Sequence, residues 1–147
     1  MKTIAPLVYV IAFTALIVLG SVGVNRVSNG PNAAVSVPAE IVTDNFVLKL
    51  KTHRWELARE SLAEDVRART EANTLRQITS MIEERYGAIE KIQADPGERN
   101  GDTAVVTIHV TTSSSIHLSW QTQLKVQNGE WRIASLDGVR RPAVEQR

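Results

Sequence analysis

Residues 124–133 read LKVQNGEWRI, and this stretch decides the fold. Asn128-Gly129 is the strongest two-residue signal for a tight β-hairpin, because both residues readily adopt positive φ angles. A turn at this dipeptide sets side chains of like character opposite each other, in the pairs Val126–Trp131, Leu124–Ile133 and Thr122–Ser135. The turn chemistry and the alternation of apolar and polar residues therefore predict the same hairpin.

The segments before this hairpin also alternate with a period of two, which predicts further antiparallel strands. Strands are expected over residues 88–94, 104–111 and 116–126, with turns at 95–102 and 112–115. The second turn is expected to set Val110 opposite Ile116 and His109 opposite His117. The apolar face should carry Ala104, Val106, Ile108, Val110, Ile116, Leu118, Trp120, Thr122, Leu124, Val126, Trp131, Ile133 and Ser135. The polar face should carry Thr107, His109, Thr111, Ser119, Gln121, Gln123 and Lys125.

Residues 38–86 have the periodicity of helices instead. A first helix is expected from Pro38, a second around Trp55, and a third between a cap at Asn73 and a stop at Gly87. Their apolar stripes are Ile41, Val42, Phe46, Leu48 and Leu50, then Trp55, Ala58 and Leu62, then Leu75, Ile78, Ile82 and Tyr86. Three helices followed by a four-stranded antiparallel sheet with one apolar face predict an α+β fold, with the helices covering that face.

This order of elements resembles the nuclear transport factor 2-like superfamily, whose members have a cystatin-like cone and include ketosteroid isomerase and scytalone dehydratase. Residues 124–133 are similar to the closing hairpin of its bacterial, membrane-anchored extracytoplasmic members, in which an apolar strand, a glycine turn and a Trp-x-Ile strand recur. The resemblance spans about residues 39–137. It implies a curved sheet and helices that enclose a pocket, and it is poorly specific for function.

Enzymes of this superfamily place carboxylates, His or Tyr inside the cone, whereas the predicted inner sheet face here carries no charge. Alternation sets Asp137 on that face opposite Trp120, although Asp137-Gly138 also reads as the turn that ends the strand. General acid–base catalysis needs a titratable group within reach of the substrate, so no catalytic activity is carried over. The residues expected to line a pocket are Phe46, Trp55, Tyr86, Trp120, Trp131 and Asp137, with core packing as the alternative for Trp55 and Tyr86.

The histidines predict no metal site. His109 and His117 on neighbouring strands could supply half of a zinc site, but four ligands are usual and no third is evident. The sequence has no cysteine, Gly-rich phosphate loop or nucleophile elbow, and no cofactor is expected.

Ile4 to Val24 is an uncharged run of 21 residues, long enough for a helix to span a bilayer. Cleavage as a signal peptide before Val24 is the alternative, because Ser21-Val22-Gly23 is a small-x-small triplet. Lys2 favours a cytoplasmic N-terminus and hence an extracytoplasmic domain. The expected organisation is an anchor or signal at 1–25, a linker at 26–37, the α+β domain at 38–138 and a tail at 139–147.

Two functions are compatible with these features. One is a non-catalytic, membrane-tethered module that binds a protein partner or a second copy through the polar sheet face in an envelope complex. The alternative is a binding protein or enzyme that holds a small apolar molecule in the cone. Without Lys2, basic and acidic side chains number 16 each. This balance does not indicate a basic surface that would bind nucleic acid.

Overall fold

The computed structural model describes residues 35–146, in which helices pack against one face of a curled antiparallel sheet. The helices are α1 (Ala39–Lys51), α2 (Trp55–Glu60), α3 (Glu64–Ala68), α4 (Ala72–Tyr86) and α5 (Asp137–Arg140). The strands are β1 (Ile89–Ala94), β2 (Glu98–Asn100), β3 (Thr103–Thr112), β4 (His117–Gln127), β5 (Glu130–Ile133) and β6 (Ala143–Val144). The α+β class is as expected, with more elements than the sequence pattern predicts.

The three predicted helices correspond to α1, α2 and α4, with differences in their faces and ends. In α1, Ile41 and Leu48 are 44% and 46% exposed, because the buried face is rotated towards Thr43 and Val47. In α4 the helix begins at Ala72, so Asn73 lies inside the first turn instead of capping it. The predicted stop is confirmed: Gly87 follows the helix at φ +97°, a conformation that glycine adopts without steric cost.

The two additional helices are single turns too short to produce a readable period. The second predicted stripe also ends early, because α2 stops at Glu60 and Leu62 forms a parallel bridge to Ile133. Ile133 donates its N–H to Ser61 O (2.9 Å) and accepts at its carbonyl from Ala63 N–H (2.8 Å). This segment therefore covers the outer edge of β5, which would otherwise expose unpaired backbone groups.

The sheet has the strand order β1-β3-β4-β5, with β2 pairing beside β3 and β6 beside β4. The closing hairpin has the predicted pairs Val126–Trp131 and Leu124–Ile133, and its turn residues take φ values of +54° at Asn128 and +77° at Gly129. The expected pair Thr122–Ser135 is absent from this ladder, because β5 ends at Ile133.

The β3–β4 hairpin is displaced by two residues from the expected register. Val110 lies opposite Leu118, and His109 lies opposite Ser119 instead of His117. The turn is centred one residue later than expected because Ser115 adopts the positive φ of +58°. A shift of two residues preserves which side chains share a face, so both predicted faces remain as assigned.

The outer edge of β1 is covered by α1. Lys51 Nζ donates to the carbonyl of Glu90 (2.7 Å), and the Asp44 carboxylate accepts a hydrogen bond from the backbone of Ala94. Asp44 and Lys51 are seven residues apart, which places both on one side of the helix.

The predicted tail, residues 139–147, contains regular structure. Residues beyond 138 complete α5 and form β6, which pairs with β4 at Leu118–Val144 and Ser119–Ala143. Within residues 35–146, no helix is both long and apolar enough to cross a membrane. The run from Ile4 to Val24 and most of the predicted linker lie outside the described residues.

Candidate functional site

Three of the six residues expected to line a pocket lie in the hydrophobic core. Phe46 is 2% exposed, and Trp120 and Trp131 are each 5% exposed. Trp120 belongs to the apolar sheet face beside Ile108, and the guanidinium of Arg99 lies 5.3 Å from the ring of Trp131. These aromatic rings are part of the core between helices and sheet.

The other three residues lie outside that core. Trp55 is half-buried and stacks on His53 with ring centroids 5.0 Å apart, and Tyr86 is half-buried beside the guanidinium of Arg85. Asp137 is exposed and begins α5, which agrees with the interpretation of Asp137-Gly138 as the end of the strand and not with the inward orientation. The strand that would have carried it inward ends four residues earlier, and the chain turns there instead.

A cleft of about 760 Å³ opens on the opposite, polar face of the sheet. It lies across β1, β3 and the start of β4, and it contains none of the six expected residues. Its lining residues are Lys91, Ile92, Gln93, Asp95, His109, Val110, Thr111, His117 and Glu145. A smaller cleft of about 370 Å³ includes Asp137, together with Arg69 and Arg140.

His109 lines the polar-face cleft and lies between two carboxylates. Its Nε2 is 2.9 Å from Oδ2 of Asp95, and its Nδ1 is 2.6 Å from Oε1 of Glu145. Carboxylates in their ionised form only accept hydrogen bonds, so both ring nitrogens must donate. The ring that satisfies this geometry is the imidazolium cation.

The electrostatics agree with the geometry. The hydrogen bond to Asp95 makes the largest contribution to raising the pKa of His109 above its ordinary 6.5, and the hydrogen bond to Glu145 makes the second largest. Partial burial opposes that rise. A doubly donating ring has no free lone pair with which to take a proton or bind a metal. In this arrangement His109 is a cationic clamp between two segments of the chain.

The sheet register explains how the two carboxylates reach one ring. Gln93, His109, Ser119 and Ala143 follow one another across β1, β3, β4 and β6. Small side chains at Ser119 and Ala143 leave room for the Glu145 carboxylate to cross β4 towards His109. Asp95 approaches from the other side, where its N–H donates to Thr107 O (2.9 Å) directly after β1.

A second polar pair lines the same cleft. Thr111 Oγ1 lies 3.1 Å from Nδ1 of His117, its direct neighbour across the β3–β4 ladder. Lys91 precedes them in the same row, on β1. The cleft therefore combines a hydroxyl, two imidazoles and an ammonium group, while the described residues contain no cluster suited to hold a metal ion.

Asp44 is a further carboxylate whose pKa is shifted. Burial raises its pKa above 3.8, with a smaller contribution from Glu40, while the hydrogen bond from Ala94 opposes the rise. Its Oδ1 is buried without a hydrogen-bond partner. Asp44 lies in α1 and does not line the polar-face cleft.

The sequence predicts the face of this cleft but not the ion cluster in it. Alternation places His109 on the polar face, as the structure does, whereas Asp95 falls in a predicted turn and Glu145 in the predicted tail. The helpful signal was the polar alternation of β3. Nothing in local periodicity indicated that two distant carboxylates meet at one imidazole.

Comparison with known proteins supports the fold directly. A solved Campylobacter jejuni structure, named as a candidate NTF2-like transpeptidase, matches with a TM-score of 0.53 at 16% identity, covering 65% of this chain and 96% of that one. The described domain has the nuclear transport factor 2-like fold. No protein-family model and no curated protein matches this chain. At this level of identity the likeness extends to the fold alone.

Proposed function

We propose that this nuclear transport factor 2-like domain is a non-catalytic binding module, tethered outside the cytoplasm by residues 4–24, that binds a protein partner through its polar sheet face. The observation that carries the proposal is the division between the two faces of the sheet. The apolar face forms the core with the helices, whereas the polar face is exposed or half-exposed and contains the cleft at His109.

The composition of the polar face suits recognition of a protein. Gln121 and Gln123 are exposed amides with both donor and acceptor capacity, and Thr107 and Lys125 are half-exposed beside them. Val105 contributes apolar area on the same face at 36% exposure. Mixed polar and apolar surface of this kind is typical of interfaces that form and separate between folded partners.

The state of His109 favours binding over catalysis. Its two nitrogens both donate to carboxylates, so it offers no lone pair for general base catalysis. The arrangement joins three segments of the chain at the cleft, with a cationic imidazole between two carboxylates.

The proposal is tested by site-specific photocrosslinking in the native membrane. A photoreactive amino acid at Gln121 should capture a distinct partner protein, because this side chain is exposed beside the cleft. The matched control places the same amino acid at Gln77, which is exposed on α4, away from the sheet. Capture of the same proteins from both positions, or of none from Gln121, would contradict the proposal.

A second candidate function is acyl transfer or ligand turnover in the same cleft. The Thr111–His117 hydroxyl–imidazole pair favours it, because a nucleophile beside a base is the arrangement that covalent catalysis uses. The name of the Campylobacter protein points to the same class of reaction. Thr111→Val removes the hydroxyl at nearly equal volume, so an activity of the purified chain that this variant abolishes, at unchanged stability, would establish the catalytic alternative.

A further inference from the structure

The outer edge of β4 is covered by several segments in succession. The hairpin partner β5 pairs with the far end of the strand, and Ala134 N–H then donates to Gln123 O (2.7 Å). Next, the backbone of Gly138 lies so close to the carbonyl of Gln121 that a side chain there would collide with it. The remaining edge, at the start of β4, is covered by β6.

The segment that covers this last part of the edge, β6, is short and exposed. β6 consists of Ala143 and Val144, both exposed, with Val144 at 52%. Beyond the two ladder pairs, Glu145 N–H donates to His117 O (2.8 Å) and the Glu145 carboxylate reaches His109. A segment that buries so little apolar surface belongs to the parts of a fold that open at low free-energy cost.

The surface beneath β6 is suited to an acidic occupant. Without Glu145, the Nδ1–H of His109 loses the carboxylate that accepts its hydrogen bond. The cleft would then contain Lys91 and the His109 cation against a single carboxylate, Asp95. Complementary charge favours a negatively charged group at this position.

We propose that β6 occupies a binding site for an extended, acidic segment of a partner protein. That segment displaces β6, pairs with the edge of β4 at residues 117–119 and presents a carboxylate to His109. Addition of a strand to an exposed sheet edge is an established mode of peptide recognition. The inference rests on the proposed function and specifies its partner as an acidic strand.

A partner segment displaces β6 by making contacts that β6 does not make. The tethered strand competes at an effective concentration of about millimolar for a short linker. Because β6 and Glu145 already pair with residues 117–119, a partner segment gains its advantage from side-chain contacts beyond this edge, on the exposed residues of the polar face. A second copy of this chain offers the same short strand, so it gains no such advantage.

The test uses a fluorescein-labelled peptide with the sequence of residues 141–147, RPAVEQR, and full-length protein. Glu145→Gln in the protein weakens the tethered strand, so the peptide should bind this variant about tenfold more tightly than the wild-type chain. A peptide with Gln in place of Glu should bind the same variant about tenfold more weakly than the peptide that carries Glu, because only the carboxylate accepts a charge-assisted hydrogen bond from His109. His109→Gln in addition to Glu145→Gln should remove the difference between the two peptides.

The inference is overturned if folded Glu145→Gln protein binds neither peptide, or binds both equally. Comparison of the two peptides on one protein keeps the result interpretable even if His109→Gln fails to fold. Crosslinking from Gln121 reports on the proposed function separately. A partner captured there without peptide binding would leave the polar face as the interface and disprove the acidic strand.

Discussion

At the scale of single residues, position in the fold separates side chains of the same chemistry. Trp131 is 5% exposed in the core, whereas Trp55 is half-buried and stacks on His53. His109 is clamped between two carboxylates, whereas His53 makes one surface contact to Glu83 (3.0 Å). Residue type alone therefore identified candidates, and the neighbours determined their roles.

Replacement of Trp131 by Ala should destabilise a chain beginning at Val35 by about 3–5 kcal/mol, the usual cost of deleting a buried aromatic side chain. Trp55→Ala is the control and should cost about 1 kcal/mol, because it removes a stacked but half-exposed ring. Urea denaturation measures both. A cost for Trp131→Ala below about 1 kcal/mol would mean that the inner and outer faces of the sheet are reversed.

The His109 clamp should make the attachment of β6 depend on pH. Because the folded-state pKa lies above 6.5, the contact contributes fully below about pH 6.5 and is lost as pH rises through the raised value. Hydrogen-exchange protection of the Glu145 amide, corrected for its intrinsic rate, should fall across this window. His109→Gln should abolish the dependence, whereas Lys91→Gln and His117→Gln, which alter the other basic groups of the cleft, should retain it. Equal protection at about pH 6 and about pH 9 in the wild type would disprove the clamp.

At the scale of elements, the sequence predicts those features that residues close in the chain determine. The Asn128-Gly129 turn fixed its hairpin register, because both residues take the positive φ that this turn requires. The three serines before Ile116 contain no such marker, and the expected β3–β4 register was two residues out. Single-turn helices and the two-residue β6 are too short for periodicity to reveal, since tertiary contacts hold them in place.

Gly138 shows how one element depends on another. A Cβ at this position would overlap the carbonyl oxygen of Gln121, so α5 can approach β4 only with glycine there. Gly138→Ala should cost about 1–3 kcal/mol, as overpacking does.

The control for Gly138 is Gly101→Ala, which meets no atom within 4 Å and is strained only by its φ of +60°. That strain should cost about 1 kcal/mol. The difference should also appear as loss of protection at β6, which follows α5 in the chain. If Gly138→Ala costs no more than Gly101→Ala and leaves β6 protected, the close packing of α5 on β4 is wrong.

At the scale of the whole molecule, the α+β class and the division into apolar and polar faces could be predicted from the sequence, because both follow from side-chain alternation. The cleft could not be predicted. It depends on Asp95, His109 and Glu145, which three separate segments bring together. Of the residues expected to line a pocket, Phe46, Trp120 and Trp131 are buried in the core, and none of the six lines the cleft at His109.

The central claim is that the polar sheet face binds a partner, and paired charge substitutions test it most directly. Gln121→Glu and Gln123→Glu place two negative charges on exposed positions of β4, and Asn73→Glu and Gln77→Glu do so on exposed positions of α4. Each pair should leave stability within about 1 kcal/mol, as surface substitutions usually do. The measurement is the amount of partner protein that copurifies with each full-length variant after crosslinking in the native membrane. The account predicts at least a tenfold loss for the β4 pair, equivalent to about 1.4 kcal/mol of binding free energy, and none for the α4 pair. Undiminished recovery with the β4 pair at unchanged melting temperature would contradict it.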